Sequence, residues 1–302
     1  MKSGPVGAIL LITFALLNQA FSAEQFNSLH FQVNSPNYTL SEKVALILEE
    51  AYQKGEEYFN SDLPDTIKVF VTKTANEFDR LVAGTLPDWS IACAIPDVNI
   101  IILKSPDEFH YRKELQEVLW HELAHIFLWH FVKGRDTPTW TNEGFAVWFS
   151  EKWGWEERIR VARAVLTSSV IRLSEIDSLH FFRESKASLA YAESFLAVSY
   201  LESLYGTNAL RDVLRDFATT GDFYASFEQV TGLDFNSFEK EFEQMARQKY
   251  NWVAMLSDSL LLWTGLAMLF VLLYFIKRRR SKRIIERWER EDRGLAPKDF
   301  DT

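Results

Sequence analysis

The pattern of apolar and polar residues changes after about the first third of this 302-residue chain. In the first part, short runs rich in β-branched residues are mixed with segments of helical spacing. The strand pattern covers the segments 29–34, 67–71, 90–95 and 99–103. The last two form a predicted hairpin, because Pro96-Asp97 between them favours a turn. Helices are predicted over 41–60, capped by Ser41, and over 74–83.

From about residue 107 onward the apolar spacing is helical throughout. A long helix is predicted over 107–132, and its centre is almost wholly apolar. Further helices are predicted over 142–156, 158–169, 188–205, 209–218, 222–230 and 235–249. The pattern therefore predicts an α+β fold, with a small mixed β-sheet and N-terminal helices followed by a helical C-terminal half.

The N-terminal residues have the pattern of a secretory signal peptide, predicted over 1–22. Lys2 supplies a short positive region, Val6 to Leu17 is an apolar run, and Ala20-Phe21-Ser22 has the spacing of a cleavage site. An uncleaved membrane anchor is the alternative. Either interpretation places the residues that follow outside the cytoplasm.

A second apolar run lies near the C-terminal end. Ser259 to Ile276 contains eighteen residues without a charge, just enough to cross a bilayer as a helix. A buried core helix is the alternative, but the basic cluster at 277–283 follows at once and marks the cytoplasmic side of a span. The expected single-pass membrane protein has an extracytoplasmic domain over 24–250, a transmembrane helix over 256–276 and a basic cytoplasmic tail over 277–302.

Charge and cysteine content narrow the function classes. The whole chain has a formal net charge of −9. The tail 277–302 has ten Lys/Arg against six Asp/Glu, a net charge of +4, so the remaining residues have a net charge of −9 − 4 = −13. An acidic domain of this kind gives no reason to expect nucleic-acid binding. Because Cys93 is the only cysteine, the exported domain has no internal disulfide and depends on its core.

The predicted helix over 107–132 carries the motif His121-Glu122-Leu-Ala-His125. Residues four apart lie on one face of a helix, so both histidines can aim a ring nitrogen at one point. Burying two imidazoles and a carboxylate without partners is costly, and a metal ion removes that cost by taking both imidazoles as ligands. Glu122 then lies beside the attacking water as a general base. The alternative is a chance match on a core helix.

Glu143 is the candidate for a third metal ligand. It lies in the segment Trp140-Thr-Asn-Glu-Gly, with seventeen residues between it and His125. Two histidines and one glutamate leave a fourth position for water, which is the arrangement of a catalytic zinc site. By itself, Glu143 could instead be an acid that stabilises the positive end of its helix.

Together these segments resemble the gluzincin metallopeptidases, in particular the membrane-alanyl-aminopeptidase branch and the related peptidase MA-like domains. The family pattern is His-Glu-x-x-His, about eighteen residues, then Asn-Glu-Gly. The resemblance implies a zincin-like fold in which His121, His125 and Glu143 bind one Zn²⁺ and Glu122 is the general base. Thermolysin-like members have an acid one turn after the third ligand to orient a histidine. Val147 occupies that position here, so no orienting residue is identified.

The resemblance covers roughly residues 29–248 and includes the segment from Tyr191 to Gly206. Aminopeptidases carry a catalytic tyrosine on a similar helix, so Tyr191 is implied as a hydrogen-bond donor to the oxyanion. An aromatic packing residue is the alternative. The chain lacks the Gly-x-Met-Glu-Asn segment that holds a free amine in those aminopeptidases, and 98–103 resembles an edge strand that can pair with an extended peptide. These departures favour an endopeptidase, or a peptidase of unknown specificity, over an aminopeptidase.

The leading hypothesis is a membrane-anchored, outward-facing zinc metallopeptidase that acts on peptides or proteins. Zinc lowers the pKa of a water molecule, Glu122 accepts its proton, and Tyr191 helps to stabilise the tetrahedral oxyanion. The alternative is a peptide-binding or regulatory module that retains the fold and cleaves nothing. The intact Glu122 argues against it, because a non-catalytic protein has no physical need for an acid there.

Overall fold

The computed structural model describes residues 24–84, 86–87, 89–106, 114–151, 154–167, 170–176, 184–257 and 259–294. The predicted signal peptide over 1–22 lies outside the described residues. The same holds for 107–113 at the start of the predicted motif helix and for 295–302 at the end of the predicted tail.

The strands of the described residues form one five-stranded mixed sheet in the order β1-β2-β3-β5-β4. They are β1 Glu24–Asn27, β2 Phe31–Ser35, β3 Ile67–Thr72, β4 Ala92–Ile95 and β5 Ile100–Lys104. β2, β3 and β5 run parallel, and β1 and β4 pair antiparallel at the two edges. All five residues of β5 are buried, as expected for an inner strand with both faces covered.

Ten α-helices lie in the described residues. They are α1 Tyr38–Phe59, α2 Ala75–Leu81, α3 Leu115–Phe131, α4 Thr139–Phe149, α5 Trp155–Leu166, α6 Glu184–Tyr205, α7 Ala209–Thr220, α8 Phe223–Thr231, α9 Phe235–Ser257 and α10 Ser259–Gly294. The predicted mixture of a small sheet with a helical second half is confirmed.

Helices cover both faces of the sheet. On one face, α1 packs against α3, and the ring of Phe127 lies 5.3 Å from that of Tyr52 and 5.9 Å from that of Phe59. On the other face, Phe78 and Leu81 of α2 form a smaller cluster with β5 residues. Burial of these aromatic and aliphatic side chains holds α3 firmly against the sheet.

The helical half closes around the N-terminal end of α4. Trp140 is fully buried and its ring lies 5.7 Å from that of Phe235, 6.1 Å from that of Phe223 and 6.3 Å from that of Phe238. Aromatic contacts of this kind bury large apolar areas and prefer defined geometries. The first turn of α4 is therefore fixed by the helices that follow it.

Two local predictions were wrong for tertiary reasons. The cap of α1 is Asn37, whose side chain accepts a hydrogen bond from the Leu40 amide, whereas the Ser41 hydroxyl is buried and donates to the Glu24 carbonyl. The predicted edge strand over 98–103 is β5, which pairs with β3 on one side and β4 on the other. The edge strand beside α3 is β4.

None of the described helices combines the length and the apolarity needed to cross a membrane. The transmembrane helix expected over 256–276 is thus not found among them.

Glu193 is a buried acid of α6 that anchors the segment 170–176. It is 1% exposed, its Oε2 accepts a hydrogen bond of 3.0 Å from the Ile171 amide, and its Oε1 has no hydrogen-bond partner. Burial raises the pKa of Glu193 to about 8, and the Glu243 carboxylate adds to the rise. Its stabilising contribution is therefore fully present below the ordinary pKa of 4.5 and is lost as the pH rises towards 8.

We expect Glu193→Gln to remove this pH dependence, because the amide carries no charge and still accepts from the Ile171 amide. The free energy of unfolding of the wild type should fall, relative to the variant, by up to about 1.4 kcal/mol per pH unit between pH 5 and 8. Urea unfolding at several pH values measures the difference. Glu241→Gln, at an exposed position of α9, is the control. Parallel pH profiles for Glu193→Gln and wild type would contradict the prediction.

Candidate metal centre

His121 and His125 lie one turn apart on α3 and face away from the core. Between Val118 and Leu128 every residue of α3 is buried except these two histidines. Their ring centroids are 4.8 Å apart, edge to face. The apolar run therefore seats the helix and leaves both imidazoles at an accessible site.

Glu143 on α4 completes a group of three potential ligands. Its Oε2 lies 3.4 Å from His121 Nε2 and 3.8 Å from His125 Nε2, and the three ligand atoms all lie within 4.8 Å of one another. With zinc–ligand bonds of about 2.1 Å, tetrahedral ligand atoms are separated by about 3.4 Å. The arrangement fits one zinc ion with a coordination position left open.

Asn142 orients one of the two histidines. The Nδ1–H of His125 donates to the Oδ1 of Asn142 at 2.8 Å, and this bond leaves the Nε2 lone pair directed towards Glu143. Sequence reasoning looked for an orienting residue at Val147 and missed Asn142. The available signal was an amide directly before the third ligand, on the helix that has to reach the histidines.

Gly144 allows α4 to contact α6. A Cβ atom at this position would lie 2.4 Å from the carbonyl oxygen of Ser194 and 2.8 Å from Cγ2 of Val198. No side chain fits in this space without moving one helix. The glycine that follows Glu143 therefore sets the separation between the ligand-bearing helix and the helix that carries Tyr191.

Tyr191 lies at the same site. Its ring centroid is 6.1 Å from that of His121, edge-on. Burial raises the pKa of Tyr191 well above its ordinary value, and the Glu143 and Glu122 carboxylates add to the rise. The phenol therefore stays protonated.

Glu122 is 8% exposed and follows His121 directly on α3. Its carboxylate contributes to the raised pKa of Tyr191, so the two groups share one electrostatic environment. All five predicted site residues, His121, Glu122, His125, Glu143 and Tyr191, are thus brought together.

Cys93 and His130 have side chains that could react or bind metal, but their surroundings indicate a structural role. Burial raises the pKa of the Cys93 thiol to about 12, which makes it a poor nucleophile. Burial also lowers the pKa of His130, and its neutral ring donates from Nε2 to Asn99 Oδ1 at 2.6 Å. This bond ties α3 to the turn between β4 and β5.

The outer edge of β4 lies beside α3 and pairs with none of the described strands. The Lys104 amide donates to the Ile91 carbonyl at 2.9 Å, and the register pairs Cys93 with Ile102. Hydrogen-bonded pairs alternate in an antiparallel ladder, so the backbone groups of Ala92 and Ala94 point outwards. An extended chain has two positions on β4 with which it can pair.

Comparison with known proteins agrees with this geometry. The sequence model of the Peptidase MA superfamily matches residues 49–248, which include every residue of the site. The match confirms the resemblance to peptidase MA-like domains. The uncharacterized protein YhcO of Bacillus subtilis (strain 168) is 24% identical over 137 residues, which are 43% of this chain and 40% of that protein. The chain thus matches less than half the length of this relative.

We expect Asn142→Ala to weaken zinc binding about 10- to 100-fold, because the His125 ring loses its tautomer and its orientation. Asn142→Asp keeps an acceptor oxygen and should stay close to the wild-type affinity. Competition with a chromophoric chelator measures both values. Asn76→Ala, at an exposed position of α2, is the control. A wild-type zinc affinity in Asn142→Ala would show that the hydrogen bond has no orienting role.

Proposed function

The chain belongs to the Peptidase MA superfamily, and we propose that it is a zinc-dependent metallopeptidase that hydrolyses peptide bonds. One observation carries the proposal: ligand atoms of His121, His125 and Glu143 converge within 4.8 Å of one another. Glu122 lies on the same helix and has the side chain that peptide hydrolysis requires of a general base.

The group of three donors suits zinc. Two imidazole nitrogens and one carboxylate oxygen are typical ligands of catalytic zinc, whereas Mg²⁺ and Ca²⁺ prefer sites made of oxygen atoms alone. When held by His121, His125 and Glu143, zinc would supply the Lewis acidity that activates water and polarises a peptide carbonyl.

Glu122 is the proposed proton carrier. Its carboxylate accepts a proton from the attacking water and passes it to the nitrogen of the leaving amine. The mostly apolar surroundings of α3 support this role, because they keep Glu122 at 8% exposure and limit competing contacts with solvent.

Tyr191 is the proposed oxyanion donor. Its phenol O–H would donate to the oxygen of the tetrahedral intermediate, an interaction that is stronger in the transition state than with the substrate carbonyl. The raised pKa of Tyr191 and its 6.1 Å ring separation from His121 support the assignment.

The proposed substrate is an extended peptide that pairs with the edge of β4. The outward backbone groups of Ala92 and Ala94 support this binding mode, which corresponds to strand addition. The Gly-x-Met-Glu-Asn segment that would hold a free amine is absent from the sequence. Endopeptidase activity is therefore proposed.

Glu122→Gln and Tyr191→Phe should separate the two roles. We expect Glu122→Gln to retain one zinc ion and to lose about 10²- to 10⁴-fold in kcat, because no base remains. Tyr191→Phe should lose about 10²-fold in kcat with little change in KM, because its bond forms in the transition state. Metal analysis and peptide-library cleavage, with and without a chelator, give these values.

Tyr200→Phe, a half-buried tyrosine of the same helix, is the matched control. If the wild type binds one zinc ion and cuts no peptide in a diverse library, the non-cleaving peptide-binding module replaces the peptidase.

We further propose that the metal centre lies outside the cytoplasm and that α10 attaches the chain to a membrane. Every residue from Leu262 to Ile276 is exposed although this stretch is almost wholly apolar. A contiguous apolar surface of this size is typical of a site that contacts lipid or a partner. The exposed basic cluster 277–283 suits anionic lipid headgroups, and the signal pattern over 1–22 supports export.

We expect the full-length chain to sediment with membranes and to remain there after washes with high salt. The double substitution Phe270→Arg with Leu273→Arg should release it, because two charges in the apolar stretch oppose burial in lipid. The control is Ile284→Arg with Ile285→Arg, which alters exposed apolar residues of the same helix beyond the basic cluster. Recovery of the wild type in the soluble fraction would contradict the proposal.

A further inference from the structure

A cavity of about 80 Å³ adjoins the metal centre. Its wall includes His125 and Asn142, so it lies next to the hydrogen bond that orients the histidine. A water molecule needs roughly 10–15 Å³ of such space, so the cavity has room for a larger polar group. The chemistry of its lining therefore decides what it can bind.

Arg135 supplies the positive charge in this lining. Its side chain is half-buried, and its Nε is buried without a hydrogen-bond partner. No carboxylate of the described residues forms an ion pair with its guanidinium. This includes Asp136, which also lines the cavity. A partly buried guanidinium without an acceptor is costly, and a carboxylate matches its planar fork of donors.

Gly221 helps to hold the guanidinium in place. It follows α7 with a φ of +80°, and a Cβ atom there would lie 2.6 Å from Nη1 of Arg135. A side chain at this position would make the end of the Arg135 side chain shift. The negative end of α7 favours a cation at this position, but no carbonyl accepts a hydrogen bond from Arg135. The helix end therefore positions the guanidinium without occupying its donors.

Asn142 supplies a second donor. Its Oδ1 accepts from His125, which leaves the Nδ2 amide hydrogens unpaired among the described residues. An amide donor and a guanidinium in one cavity wall form a site for a small oxyanion. These two hydrogen-bond donors suit an anion, whereas the nitrogen and oxygen lone pairs of the metal centre suit a cation.

The cavity also lies where a peptide on β4 would reach it. Pro96 lines the cavity and directly follows Ile95, the last residue of β4. A peptide paired antiparallel to β4 would place its N-terminal part at this end, whereas a parallel peptide would bring its C-terminal end there. Either end can present a carboxylate, from an acidic side chain or from the chain terminus.

We propose that this cavity is a substrate subsite that binds a carboxylate group through Arg135 and Asn142. The proposal rests on the proposed peptidase function. It makes the protein selective for peptides with a carboxylate at one fixed distance from the cleaved bond. Asp136 weakens this selectivity by repelling the carboxylate.

Direct binding tests the subsite without catalysis. In the full-length, zinc-loaded protein labelled with ¹⁵N-arginine, acetate should shift the Nε–H signal of Arg135 in a saturable way. The same shift should appear in Lys133→Gln, which removes an exposed cation from the same loop. Asp136→Asn should bind acetate more tightly. An Arg135 signal that acetate leaves unchanged would overturn the proposal.

Cleavage then identifies the source of the carboxylate. For wild type and Lys133→Gln, replacing Glu by Gln at one position of a cleaved peptide should lower kcat/KM about 10- to 100-fold if a side chain binds. Amidation of the C-terminus should have that effect if the terminus binds. In Arg135→Gln the corresponding preference should fall below about threefold, and in Arg135→Lys it should be intermediate, because charge remains and the fork is lost.

Zinc content of Arg135→Gln confirms that the variant folds, and an unchanged preference in the folded variant would overturn the proposal. The proposed function fails separately: if acetate shifts the Arg135 signal but no peptide is cut, the carboxylate site stands and the peptidase does not. If peptides are cut without any carboxylate preference, the peptidase stands and the subsite does not.

Discussion

The close contact of α4 with α6 at Gly144 is the constraint on which the site depends. A Cβ atom there would lie 2.4 Å from a carbonyl oxygen of α6, so the two helices touch through their backbones. Glu143 and Asn142 precede this contact, and one reaches the metal position while the other orients His125. The buried Trp140 fixes the start of α4 among the closing helices. The short helix α4 therefore carries the ligand Glu143 and the orienting amide Asn142. Its contact with α6 also sets how closely the helix that bears Tyr191 approaches the site.

The sheet supplies the other half of the geometry. α3 is held against it by the Phe127 contacts, and the bond between His130 and Asn99 ties α3 to the turn between β4 and β5. The distance from the metal position to the edge strand thus depends on packing that is remote from the chemistry. The Peptidase MA match begins within α1 and ends within α9, so it contains β3, β4, β5 and α3 and omits β1, β2 and α10. The proposed catalysis and the proposed membrane attachment therefore rest on separate parts of the chain.

Burial of a charged or polar side chain affects hydrogen bonding at the metal centre, stability at Glu193 and ligand binding at Arg135. Burial, with the Glu143 and Glu122 carboxylates, raises the pKa of Tyr191, so the phenol keeps its proton. Glu193 has only part of its hydrogen-bonding capacity satisfied, and its raised pKa makes stability fall as the pH rises. Arg135 lacks an acceptor beside a cavity, and there the same physical cost favours binding of an external group. The difference is that the Glu193 side chain is closed off from solvent, whereas the Arg135 side chain lines a cavity.

Local spacing alone determined that His121 and His125 share one face of a helix and that Pro96-Asp97 turns a hairpin, because both follow from backbone geometry over a few residues. The separation of Glu143 from His125 and the chemistry of a catalytic zinc site made Glu143 a candidate ligand, and the family resemblance supported that role. The resemblance alone added Tyr191, which is too distant in sequence for spacing to relate it to the histidines. Only the tertiary structure revealed Asn142 as the orienting residue, β4 as the edge strand and the cavity at Arg135. These features depend on which strand pairs outward and how closely helices approach, and long-range packing decides both.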